Sequence, residues 1–205
     1  MTNVIMHGII LAFGLILPLG VQNIFIFNQG ASQPSLIHAF PVIITAALCD
    51  TLLILLAVLG VSAIVLTFSL LKTVLLGLGV IFLGYMGGVI WKSETKLNEA
   101  NSERISTKKQ VLFAISVSVL NPHAIIDIIG VIGTNSLNYS GEAKWVFTFS
   151  TILVSWIWFF GLAIGGKMLG NIDKTGRLIH IINKISAFII WSIALYLLKS
   201  FFESF

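Results

Sequence analysis

Residues 40–60 read FPVIITAALCDTLLILLAVLG. A helix needs about 20 predominantly apolar residues to cross the hydrocarbon core of a bilayer, and this run supplies them with one charge, Asp50, near its centre. An unpaired carboxylate at that depth costs about 3 kcal/mol on insertion scales. Such a residue normally faces a bundle interior or a water-filled cavity and marks a substrate or ion path. Residues 111–133 carry Asp127 in the same way. Two carboxylates where lipid is expected point to a transporter whose substrate is, or carries, a cation.

Working outward, the composition agrees. Hydrophobic residues make up 57% of the chain and charged residues 10%, whereas a soluble domain carries roughly 25% charged residues. Little polar sequence is left for a soluble domain, so the chain reads as an integral membrane protein in contact with a lipid bilayer. The net charge of +4 does not imply nucleic acid as a partner, because the basic residues flank apolar spans, where they set orientation and meet anionic headgroups. One cysteine, Cys49, allows no intrachain disulfide. The opening Met1-Thr2-Asn3 has no basic side chain and leads into an apolar stretch long enough to span, so no cleavable signal peptide is expected.

The hydrophobic ruler gives an all-α, polytopic membrane protein with about six spans: 4–27, 39–61, 73–91, 111–134, 145–166 and 185–202. Residues 61–71 are too apolar for an ordinary loop and read as a short interfacial or re-entrant piece before Lys72. The first span holds Pro18 and is either full or re-entrant. Nine of the basic residues fall in 92–109 and 167–184, against Lys72, Lys144 and Lys199 elsewhere. The positive-inside rule places both basic stretches in the cytoplasm and the C-terminus outside, in a cytoplasmic (inner) membrane. Trp91 beside Lys92 and Trp145 beside Lys144 read as interfacial anchors. Trp156 and Trp158 fall mid-span, where a tryptophan either packs or lines a cavity that gives its indole N–H a partner.

An offset of 104 residues lays Pro18 on Pro122 and Asn23 on Asp127, in LPLGVQNIFIF and NPHAIIDIIGV. Each segment opens a three-span half, so the single membrane domain divides into a repeat over about 1–92, a cytoplasmic loop over about 92–109 and a second repeat over about 110–205. Three is odd, which makes the repeats inverted. Inverted repeats with broken helices at matching positions place a transport site near the bilayer midplane.

The chemistry-bearing residues gather at those breaks. In 17–23, Pro18 removes an N–H and clashes with the preceding turn, Gly20 loosens the backbone, and Gln22 and Asn23 add uncharged polar heads. In 120–127, Asn121 and Pro122 precede His123 and Asp127, which are four apart and share a helix face. The alternatives are a packed kink with interhelical polar bridges in the first case and a His–Asp pair that fixes the break in the second. Candidate substrate- or ion-binding residues are therefore Asp50, Asp127, Gln22, Asn23, Asn121, His123 and Trp158, with Pro18, Gly20 and Pro122 as helix-break residues. No HExxH, Walker loop or defensible Ser–His–Asp arrangement occurs, so no enzyme, cofactor or ATP-driven pump is expected.

The motifs PLGVQN (18–23), NQG (28–30), CDTLLI (49–54), LNPHAIID (120–127), SWIWFF (155–160) and IINKISAFIIWSIAL (181–195) run in order across nearly the whole chain. In these the chain resembles the lysine exporter family, closest to its lysine/arginine exporter branch. It departs from the family's usual Gly-Pro-Gln-Asn, with Pro18 four residues before Gln22. The resemblance implies a small secondary exporter of cationic amino acids of the L-lysine/L-arginine type, coupled to an ion gradient with the proton as expected coupling ion. Asp50 and Asp127 would hold the substrate's positive charge. Export of other amino acids, or of a divalent metal held by the two Asp with His123 and Asn23, is the alternative; a non-transporting membrane component is a third. Assembly into a homo-oligomer is left open.

Overall fold

The computed structural model describes residues 1–17, 20–60, 77, 80–81, 83–85, 87–88, 90–92, 106–119, 124–125, 128–173 and 177–202. These residues are helical wherever they are regular: α1 (Thr2–Ile16), α2 (Val21–Ser32), α3 (Leu36–Val58), α4 (Thr107–Val119), a π-helix (Ile128–Gly133) running into the short α5 (Thr134–Ser136), α6 (Gly141–Ile172) and α7 (Arg177–Phe202). Two of them, α3 and α6, are by themselves long and apolar enough to cross a membrane. The pair α1 and α2 qualifies when taken together, bent by 82° at the break between them.

The first expected span is thus two helices. The break falls where the sequence places it, around 17–20, although Pro18 itself lies outside the described residues. Its two arms follow α6 from one end to the other. Near the start of α6, His7 Nδ1 is hydrogen-bonded to the Tyr139 hydroxyl at 2.7 Å, and Gly8 lies against Phe147 and Ser150. Near its end, Lys167 Nζ donates to the carbonyls of Gln33 (2.9 Å) and Pro34 (3.1 Å), just past α2. A re-entrant pair would return to the end where it began. Here α1 and α2 together advance in one direction along α6.

The contact that holds α2 to α6 is backbone against backbone. A Cβ on Gly30 would strike the Ala163 carbonyl, one on Gly166 the Phe27 carbonyl, and one on Gly170 the Ala31 carbonyl. Small residues permit such approach between membrane helices, where packing rather than water exclusion drives association. Helix α3 runs antiparallel to α6: Phe40 meets Phe160, and further along Thr51 meets Trp156. Pro41 sits inside α3, and Thr45 donates its hydroxyl to the Pro41 carbonyl at 2.6 Å.

The fourth expected span, 111–134, is also not one uniform helix. Helix α4 covers 107–119, and the chain re-emerges as a π-helix over 128–133, a geometry that is rare outside functional or strained segments. The middle of α4 stacks on α2, with Phe113 and Phe25 ring centroids 3.7 Å apart, and the end of the π-helix brings Gly133 against the Ala57 carbonyl. Chain direction along α4 and the π-helix is therefore that of α3, and opposite to that of α1.

Helix α7 closes the bundle. Ala187, Ile190 and Ala194 pack with Val21 and Ile24 of α2, Val117 of α4, and Leu83 and Ile90. Lys184 Nζ donates to the Trp91 carbonyl at 2.8 Å and lies 3.8 Å from that ring's centroid. The end of the expected third span, beside the first basic stretch, is thereby joined to the second basic stretch. About half of 73–91, the apolar piece 61–71, the loop interior 93–105 and the break at Pro122 lie outside the described residues.

Candidate functional site

Asp50 is 7% exposed, in the middle of α3. Helical phase gives it this position: Ala39, Val42, Ile43, Ala46, Ala47, Asp50, Ile54 and Ala57 recur at helical spacing and form the buried face. The carboxylate receives two neutral donors. Gln22 Nε2 donates to Oδ1 at 3.2 Å from the first turn of α2, and the Ser155 hydroxyl donates from α6. Among the described residues no cation faces it. A charge this deep is normally paired, and here hydrogen bonds alone hold it.

Nearby hydroxyls are engaged elsewhere. Thr51 donates to the Ala47 carbonyl (2.7 Å) and accepts from Trp156 Nε1 (3.1 Å); Ser118, beside Cys49, donates to the Ala114 carbonyl (2.9 Å). These bonds back onto the preceding turn and leave Asp50 as the exceptional group on α3.

The break that positions Gln22 has its own support. Ile16 closes α1, so its carbonyl lacks the usual helical partner; Asn23 Nδ2 supplies one at 2.7 Å. Gly20 caps α2 at φ −75°, ψ 170°, extended backbone open to any residue, and a Cβ there meets nothing within 4 Å. The first turn of α2 has no side-chain cap, so its N–H groups point toward the break. Trp158 lies on α6 with its Nε1 buried, and the Phe13 ring stands edge-on to it at 6.1 Å.

Of the candidates read from sequence, the structure brings Gln22 and Asp50 into contact, uses Asn23 to tie α2 to the end of α1, and sets Gly20 at the break. Pro18, Asn121, Pro122, His123 and Asp127 lie outside the described residues. Among the described residues no three of His, Cys, Asp and Glu gather into a metal-holding group.

The family pattern described as LysE type translocator matches residues 13–200, from the last turn of α1 to near the end of α7, and includes every candidate above. The chain belongs to the LysE family. This LysE-family chain is 54% identical over 200 residues to YisU of Bacillus subtilis (strain 168), which carries a provisional designation as an amino-acid transporter; the match covers 98% of the chain and 91% of YisU. It is 32% identical over 203 residues to the arginine exporter protein ArgO of Pectobacterium carotovorum subsp. carotovorum (strain PC1), covering 97% of the chain and 98% of that protein. Against ArgO of Escherichia coli (strain K12) the identity is 31% over 197 residues, covering 94% and 92%. No solved structure matches. LysE-family members are membrane transporters rather than enzymes.

Sequence reasoning on this LysE-family chain missed Ser155 and the Trp156–Thr51 bond. The signal was present: a serine between apolar residues at mid-span, ahead of two tryptophans, needs a polar partner in lipid. Which helix supplied that partner could not be read from spacing within α6.

Proposed function

We propose that the chain exports cationic amino acids of the lysine/arginine type across the bacterial cytoplasmic membrane, driven by an ion gradient. The observation that carries the reading is Asp50: a buried carboxylate at the centre of an apolar helix, oriented by Gln22 and Ser155, with neutral donors where a cation is expected. A substrate ammonium or guanidinium meets that carboxylate, and the N–H groups opening α2 suit the substrate carboxylate. Asp127, His123 and Asn121 complete the site from the second repeat. Proton and substrate compete for the carboxylates, so that taking up one releases the other. Similarity to the ArgO proteins supports arginine as one substrate.

The test is exchange by purified protein in liposomes under an imposed pH gradient. Labelled arginine and lysine move, canavanine competes, and collapse of the gradient slows net flux. Liposomes that hold inserted protein yet move none of these remove the reading. Movement of a divalent metal instead would transfer it to the alternative.

A further inference from the structure

Trp158 follows Ser155 by three residues, so both project from one face of α6. Ser155 is bonded to Asp50. The Trp158 ring meets Phe13 in the last turns of α1, and, like Ile16, it packs against one buried cluster that joins α2, α3, α4 and α6 and includes Phe25, Ala46 and Phe159. Trp158 therefore stands where α1 ends and α2 begins, one helical turn along α6 from the carboxylate. Its Nε1 is buried and has no hydrogen-bond acceptor among the described residues, whereas Trp156 donates to Thr51.

Buried donors in native proteins are nearly always paired, and each exception calls for a reason. The group that meets this donor must be an acceptor. A lysine ammonium or an arginine guanidinium offers donors only, while an ionised carboxylate offers acceptors only. We propose that the Trp158 indole N–H binds the carboxylate of the transported amino acid, while Asp50 takes its cationic group. This rests on the cationic amino-acid reading above and deepens it. Opposite charges of one zwitterion are then held from two sides, and the site selects an α-amino acid over the amine left by its decarboxylation.

The experiment uses the full chain in liposomes, with Trp158→Phe and with β-(3-benzothienyl)alanine incorporated at position 158. The second keeps the bicyclic shape and replaces N–H by sulfur, so packing is preserved if the phenylalanine variant folds poorly. Arginine exchange is measured over a concentration range, and agmatine, which has the guanidinium but no carboxylate, serves as competitor. Loss of a charge-assisted bond raises the arginine KM by about tenfold or more in both variants. The maximal rate and the agmatine inhibition constant stay within about twofold, or, if agmatine does not compete with the wild type, the arginine KM alone decides. An arginine KM within twofold of wild type, or equal weakening of arginine and agmatine, overturns the proposal. A wild type that exchanges no arginine removes the functional reading itself; an active wild type with an unaltered Trp158→Phe removes only the role of Trp158.

Discussion

Gln22 Nε2 lies 3.2 Å from Asp50 Oδ1 and ties the first turn of α2 to the middle of α3. The bond starts two residues after Gly20, at the break between α1 and α2. It couples the geometry of that break to the only charge on α3 near bilayer mid-depth. A shift of α2 along α6 would remove one donor from the carboxylate, so the site is mechanically linked to the packing of α2.

Gln22→Leu removes that donor while keeping a side chain of similar size. A hydrogen bond to a charged group is worth about 1.5–3 kcal/mol, so arginine exchange in liposomes should fall about tenfold or more, with membrane insertion intact. Exchange at the wild-type rate would make the contact incidental.

Asn23→Ala leaves the Ile16 carbonyl without its 2.7 Å partner. An orphaned buried group costs about 1–3 kcal/mol, so thermal stability in detergent and transport should drop together. Loss of transport with unchanged stability would place Asn23 on the substrate instead of on the break.

Gly166→Leu and Gly20→Ala should behave in opposite ways. A side chain at 166 meets the Phe27 carbonyl and drives α2 off α6; overpacking of this kind costs about 1–3 kcal/mol or more, and the yield of folded protein should fall. At Gly20 the backbone is extended and a Cβ meets nothing within 4 Å, so alanine should leave yield and transport unchanged. Size-exclusion profiles and exchange rates of the two variants check both expectations.

How far the sequence reached depends on what each feature required. Membrane helices follow from local composition, so α3 and α6 were legible from their apolar runs, and the break before Gly20 from Pro18 and the polar residues after it. Asp50 stood out because a charge in lipid needs a reason wherever its partner lies. The Gln22–Asp50 bond, Ser155 as second donor and Asn23 as cap for Ile16 were not legible, because each depends on how separate helices are rotated against one another. The glycine contacts of α2 with α6 join residues more than 130 apart, and no spacing within one helix encodes them. The flexible role read for Gly20 did not anticipate its ordinary extended backbone, whereas Gly30, Gly166 and Gly170 are the glycines that sterics demand.

Orientation can be tested separately from substrate. In a Cys49→Ser background, cysteine at Ser102 should resist an impermeant thiol reagent in intact cells, and cysteine at Ser204 should react. The expectation rests on the nine-to-three division of basic residues, with Lys184 bonded to Trp91 bringing the two basic stretches together. Labelling at Ser102 with protection at Ser204 would invert the molecule. Protection at both would imply an odd number of spans and end the three-plus-three arrangement.

The most direct measurement is arginine exchange by Asp50→Asn, reconstituted at the same protein-to-lipid ratio as wild type. Asparagine nearly keeps the shape, retains one oxygen that can accept from Gln22, replaces the other by an NH2 that can donate to the Ser155 hydroxyl, and removes the negative charge that would hold a cationic substrate. Export should be abolished while the amount of inserted protein is unchanged. Exchange at the wild-type rate, at both limiting and saturating arginine, would show that the buried carboxylate of α3 does not bind the transported cation.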